Sequence, residues 1–66
     1  MSASKNLSKM IPFHDYGEGD NGVVIVRTFE GKVALCLSLE SNGDVEAVLD
    51  RDTVEKVIAA LSAAIT

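Results

Sequence analysis

The sequence has almost none of the residues from which small folds take covalent or metal support. It contains one cysteine, Cys36, one histidine, His14, and no tryptophan among 66 residues. One cysteine excludes an internal disulfide, and with one histidine it excludes the four-ligand set of a structural zinc site. We therefore expect no metal and no cofactor. Because so short a chain buries only about 60% of its unfolded surface, we expect stabilisation by association with another molecule.

Long apolar runs are also missing. The two longest, residues 33–37 and 57–61, have five residues each, which is too short to cross a membrane. The N-terminus lacks the apolar stretch of a secretory signal. With a single unpaired cysteine, this predicts a cytoplasmic protein without membrane contact. The hydrophobic share of 47% and the charged share of 24% are those of an ordinary folded domain.

Positive charge is scarce outside the first residues. The net charge is −4, from 6 basic and 10 acidic side chains, and Lys5 and Lys9 lie in the first nine residues, which contain no acid. Residues 10–66 then carry 4 basic and 10 acidic side chains, a net charge of −6. Such a surface repels a phosphate backbone and attracts a basic protein. Nucleic acid is therefore not the expected partner.

The apolar patterning predicts an α+β fold, a three-stranded antiparallel meander followed by one C-terminal amphipathic helix on one sheet face. Residues 1–9 are predicted to be a flexible arm and residues 10–66 a single domain. Strands are expected over 23–29, 32–40 and 45–49, joined by turns at Glu30-Gly31 and around Asn42-Gly43. Asp50 is a predicted N-cap for a helix over 51–65.

The predicted core joins the second strand to the helix. Residues 33, 35, 37 and 39 form a leucine-rich face, and the helix repeats apolar residues at spacings of three and four. The stripe comprises Val54, Val57, Ile58, Leu61 and Ile65. A three-residue second turn with Gly43 in a bulge places Val45, Ala47 and Leu49 beside Leu39, Leu37 and Leu35, and keeps Glu46 off the buried face. The first hairpin has two possible registers, with Val24 and Val26 or Val23 and Ile25 on the helix side.

Either register leaves large apolar residues on the sheet face that the helix does not cover. The cover is expected to be residues 10–16 folding back, a second copy of the chain or a different protein. For self-association we expect Val24, Val26, Ala34 and Cys36, which assumes the second register. In the first register Val23 and Ile25 replace the two valines.

The remaining motifs indicate contact rather than catalysis. Residues 17–22 match the letters of a G-x-G-x-x-G loop, but they precede a strand instead of opening a helix, and they are predicted to be a linker. No nucleophile lies near His14 in the sequence, so no catalytic residue is expected. Exposed aromatic residues beside charged ones are typical of binding hot spots. The predicted partner-binding segment is Phe13, His14, Asp15 and Tyr16.

These patterns favour a small, acidic, self-associating module, a homodimer that binds and modulates a larger, basic protein and is not an enzyme. An adaptor, or an inhibitor encoded by a bacterium, phage or mobile element, fits the size and charge. One alternative is a small-ligand binder or enzyme whose pocket forms between subunits, with His14, Tyr16 and Arg27 as its polar groups. Another is a structural component of a larger assembly.

Overall fold

The computed structural model describes residues 7–66. It shows an antiparallel sheet followed by one helix, in the order β1 (Ser8–Asp15), β2 (Asp20–Phe29), β3 (Lys32–Leu39), β4 (Gly43–Leu49) and α1 (Arg51–Ile65). The strands are arranged in the sheet in chain order. The α+β class and the antiparallel meander are therefore confirmed, but the sheet has four strands rather than three.

The additional strand is β1, an edge strand that pairs with β2. It contains residues 8 and 9 of the predicted arm and most of the segment 10–16, which extends the sheet instead of folding over a face. Pro12 is compatible with this position, because an edge strand tolerates a residue that lacks an N–H donor. The predicted linker at 17–22 is partly a hairpin turn, in which the Gly19 amide donates to the Asp15 carbonyl over 2.8 Å. Residues 1–6 of the predicted arm lie outside the described residues.

The first register follows from a two-residue turn. Glu30 and Gly31 have φ values of 50° and 79°, as a type I′ hairpin turn requires. This turn places Phe29 opposite Lys32, and therefore Val24 and Val26 opposite Leu37 and Leu35. The register assumed for the self-association residues is wrong, because Val24 and Val26 share the leucine-rich face while Ala34 and Cys36 lie on the other.

The second turn has the predicted length. Leu39 pairs with Gly43, whose φ of 86° suits glycine, and three residues connect them. Val45, Ala47 and Leu49 share the leucine-rich face and Glu46 lies opposite, as predicted. Their partners are displaced by two residues, since Val45 is opposite Leu37 and not Leu39.

Two faces of the sheet result from these registers. The apolar face is formed by Ile11, Phe13, Val24, Val26, Val33, Leu35, Leu37, Leu39, Val45, Ala47 and Leu49, and it also carries Lys9, Asp15 and Thr28 near its ends. The mixed face carries Met10, Pro12, His14, Val23, Ile25, Arg27, Ala34, Cys36, Ser38, Asp44, Glu46 and Val48. In the described residues, the buried hydrophobic side chains are Ala34 and Cys36. Both lie at the centre of β3 on the mixed face, so this face is better covered there than the apolar face.

The helix begins as predicted but does not cover the apolar face. The Asp50 carboxylate accepts a hydrogen bond from the Thr53 amide over 2.9 Å, which is an N-cap. The helix makes its closest approach to β3, yet none of its residues is buried. The apolar helix stripe (Val54, Val57, Ile58, Leu61 and Ile65) is progressively exposed, and the prediction that it forms the core with β3 is wrong for a single copy.

The molecule is more extended than a compact domain of the same number of residues. The radius of gyration is 13.5 Å, against about 10.8 Å for a compact domain of this size. The smallest principal dimension is 15 Å, close to the thickness of one sheet with its side chains. A second layer is missing over most of the sheet of residues 7–66.

We expect Glu30→Asn to stabilise the fold. Asparagine adopts the left-handed conformation more readily than glutamate, so the free energy of unfolding should rise by about 0.5–1 kcal/mol. Chemical denaturation followed by circular dichroism measures the change. Glu30→Ala removes the same carboxylate without favouring a positive φ, and an equal gain from alanine would contradict the turn explanation.

Candidate interaction surfaces

The apolar face has an exposed row that crosses all four strands. Its members lie directly opposite one another in the registers of the three hairpins. They are Ile11, Val24, Leu37 and Val45. Val45 is 72% exposed, Ile11 and Leu37 are also exposed, and Val24 is half-buried. The transverse row and the helix stripe are two separate apolar surfaces of residues 7–66, and exposed apolar surfaces mark interaction sites.

The mixed face is closed by polar groups. The Arg27 guanidinium donates from Nη2 to Glu46 Oε2 over 2.8 Å. Arg27 lies on β2 and Glu46 on β4, so their ion pair passes over the intervening strand β3. It therefore covers the small side chains Ala34 and Cys36. The expectation that this face needs an outside cover at its centre is wrong, because a polar bridge of the same chain provides it.

Cys36 lies in an environment that keeps its thiol protonated. Burial raises the pKa of Cys36, and the nearby carboxylates of Asp44 and Glu46 raise it further, while Arg27 has a smaller opposing effect. A thiol with a raised pKa is a poor nucleophile. Cys36 therefore serves as a small packing residue of the mixed face.

Two hairpin turns are fastened together at one end of the sheet by Asp20, which is buried. Its Oδ2 accepts hydrogen bonds from the Ser41 amide and the Asn42 side chain, both over 3.0 Å. Its Oδ1 accepts from the Asn21 amide over 2.9 Å. These hydrogen bonds lower the pKa of Asp20, and the bond from the Ser41 amide has the largest effect on it. No local sequence signal indicates this contact, since Ser41 and Asn42 are 21 and 22 residues away from Asp20.

The fastened turns form an acidic end. Within residues 7–66, the turns and the adjoining strand ends contain no lysine or arginine. The acidic side chains there are Asp15, Glu18, Asp20, Glu40 and Asp44. Lys9, Arg27 and Lys32 lie toward the opposite end of the sheet. The molecule therefore has one acidic pole, held in a fixed shape by Asp20.

The predicted partner-binding segment lies at this acidic end, but its members differ in accessibility. Tyr16 is 91% exposed, and its ring contacts that of His14 edge-on at 4.8 Å between centroids. The His14 Nδ1 is 2.9 Å from Asn21 Oδ1. Asp15 accepts from the Gly17 amide over 2.8 Å, and half-buried Phe13 packs beside Gly22. His14 and Tyr16 are therefore available to a partner, whereas Asp15 and Phe13 have structural contacts.

A concave surface of about 540 Å³ adjoins the same end. It is lined by Pro12, Phe13, His14, Asn21, Gly22, Val23, Ser38 and Glu40. Of the polar groups considered for a ligand pocket, His14 lines it and Tyr16 and Arg27 do not. No group of three metal-ligating side chains occurs in the described part of the chain. Its one helix falls short of the length and apolar character needed to cross a membrane.

We expect Asp20→Asn to lower the melting temperature at neutral pH. The folded-state pKa of Asp20 lies below its ordinary value of 3.8, so its charge stabilises the fold above about pH 4, and this contribution disappears as the pH falls through the lowered pKa. The difference in melting temperature between wild type and variant should therefore shrink between about pH 5 and pH 2. Glu18→Gln, at an exposed position of the same turn, serves as the control. A pH-independent difference for Asp20→Asn would contradict the role of its charge.

We also expect Arg27→Ala to expose Cys36. Loss of the bridge to Glu46 opens the mixed face, and this gain in access outweighs the further rise in the pKa of Cys36 that loss of Arg27 causes. A thiol reagent should therefore label Cys36 about ten times faster in the folded variant than in wild type. Lys32→Ala removes a cation of the same face at the end of β3 and should leave the rate unchanged. Equal rates for all three proteins, with circular dichroism confirming their folding, would show that the bridge does not protect the thiol.

No known protein family, curated protein or solved structure shows a significant match to this chain.

Proposed function

We propose that this chain is a small acidic protein–protein interaction module that associates with itself and binds and modulates a larger, basic protein. The observation that carries the proposal is the exposure of the transverse row and the helix stripe in one copy. Both are apolar, and neither contains a charged residue.

Surface area supports self-association. The accessible surface is 5223 Å², roughly 1,200 Å² more than the approximately 4,000 Å² expected for a monomer of this mass. Standard protein interfaces bury about 1,200–2,000 Å² over both partners. The excess surface of two copies is therefore large enough for a stable contact.

The acidic end supports binding of a basic partner. Its carboxylates are concentrated on two turns that Asp20 holds together, so little order has to be gained on binding. Tyr16 adds an exposed aromatic ring, and tyrosine is enriched in binding hot spots. The separation of acidic and basic residues along the sheet orients an approaching cationic surface toward this end.

Two double variants of equal charge test the role of the acidic end. Glu18→Gln with Glu40→Gln neutralises it, whereas Glu30→Gln with Asp52→Asn removes two charges elsewhere. Captured proteins are quantified by mass spectrometry for wild type and both variants. The first variant should capture about tenfold less basic protein than wild type does. Salt on the order of 1 M should reduce capture by wild type to the same extent. The second variant should retain them.

Equal capture by the two double variants would contradict a local acidic site and indicate that only net charge matters. Capture by wild type that is insensitive to salt would remove the electrostatic basis of the proposal. Tyr16→Ala and Phe29→Ala form a second matched pair, since both rings are exposed but they lie at opposite ends of β1–β2. Only Tyr16→Ala should weaken binding.

A further inference from the structure

We infer that two copies of the chain exchange their C-terminal helices, so that the distal half of α1 of each copy packs on the apolar face of the other. This inference rests on the self-association part of the proposed function and specifies its geometry. It follows from where the helix leaves its own sheet, which sheet residues remain uncovered, and how the two surfaces match.

The helix diverges from its own sheet along its length. Val54 is half-buried, and the exposed fraction then rises from 37% at Val57 to 61% at Leu61 and 88% at Ile65. A single residue, Asp50, connects β4 to the helix, and its backbone is extended, with φ −78° and ψ 170°. The distal stripe therefore projects beyond the sheet that precedes it.

The uncovered part of the apolar face lies away from the helix start. Leu49, at the end of β4, is half-buried beside Val33, whereas Val45 is near the other end of the strand. Val45 and Leu49 are four residue steps apart along the strand, a distance of about 13 Å. The transverse row and the distal helix stripe of the same copy thus point into solvent at separate places.

The dimensions of the two surfaces agree. The transverse row crosses four strands, and three spacings of about 4.8 Å make it roughly 14 Å wide. Ile58 and Ile65 are seven residue steps apart on the helix, about 10.5 Å at 1.5 Å per step, and Leu61 lies between them. The distal stripe therefore fits along the row with one layer of side chains from each.

A second copy is the occupant that satisfies both surfaces at once. Each copy presents one uncovered row and one unpartnered stripe, and a two-fold axis brings each stripe to the other row in a closed pair. The excess surface, roughly 1,200 Å² per copy, is spread over the whole chain, and burial of half of it on each copy already gives a contact of about 1,200 Å², the lower end of standard interfaces. Neither surface contains a charge, so the net charge of −4 stays outside the contact.

Analytical ultracentrifugation of matched variants tests the exchange. Wild type should sediment at twice the chain mass of 7.0 kDa. Leu61→Lys on the stripe and Val45→Lys on the row should each weaken the dimer on the order of 100-fold, because each change places two charges in the apolar contact. Ala63→Lys, opposite the stripe on α1, and Val48→Lys, on the mixed face of β4, should leave the dimer intact.

Cross-linking distinguishes the exchange from other dimers and does not require a folded monomer. In a Cys36→Ala background, copies carrying Val45→Cys are mixed with copies carrying Leu61→Cys and treated with a short bismaleimide. The exchange predicts links between the two kinds of copy. A dimer linked only between Leu61→Cys copies would overturn the exchange while leaving self-association standing. A wild type that is monomeric at millimolar concentration would overturn both, whereas binding through the acidic end would be judged separately by the charge variants.

Discussion

The connection between the sheet and the helix is one residue long, and the rest of the molecular shape depends on it. Asp50 follows β4, caps the helix through its carboxylate and keeps an extended backbone. A longer loop would allow the helix to turn back and lie along the leucine-rich face. With a single residue, the helix starts at the corner of the sheet, and of its apolar stripe only Val54 is half-buried while the later residues are exposed. The largest apolar surfaces of the chain are consequently kept apart.

The two faces of the sheet differ in what covers the middle strand, β3. On the mixed face, β3 carries Ala34 and Cys36, and the long side chains of Arg27 and Glu46 meet above them. Short residues in the middle strand leave the space that this bridge occupies. On the apolar face, β3 carries Val33, Leu35, Leu37 and Leu39. These side chains are too large and too apolar to leave space for such a bridge. One face is therefore complete within a copy, and the other is built for contact.

Local signals in the sequence predicted most of the fold. The alternation of β3, the turns at Glu30 and Gly43 and the Asp50 cap were recognised because each acts over a few residues. The two-residue turn at Glu30-Gly31 also determines the register of the first hairpin, which places Val24 and Val26 on the leucine-rich face and not on the face predicted for self-association. The strand β1 was missed because Pro12 and the weak alternation around it are compatible with an edge strand but do not specify one.

Contacts between distant residues account for the rest. Nothing near Asp20 in the sequence indicates that it binds Ser41 and Asn42, and the sequence predicts residues 17–22 only as a linker. The sequence therefore predicts an excess of negative charge but not its concentration on a rigid surface. The position of α1 was predicted wrongly because an amphipathic stripe shows that burial is required, and it does not show in which molecule that burial occurs.

The meander order has a further consequence for the order of folding. Every strand pairs with its neighbour in the chain, so each hairpin closes over a short loop and little chain entropy is lost in bringing the strands together. The sheet therefore needs no helix on its apolar face in order to form. Pairing of two copies is then a separate step, whose rate depends on protein concentration.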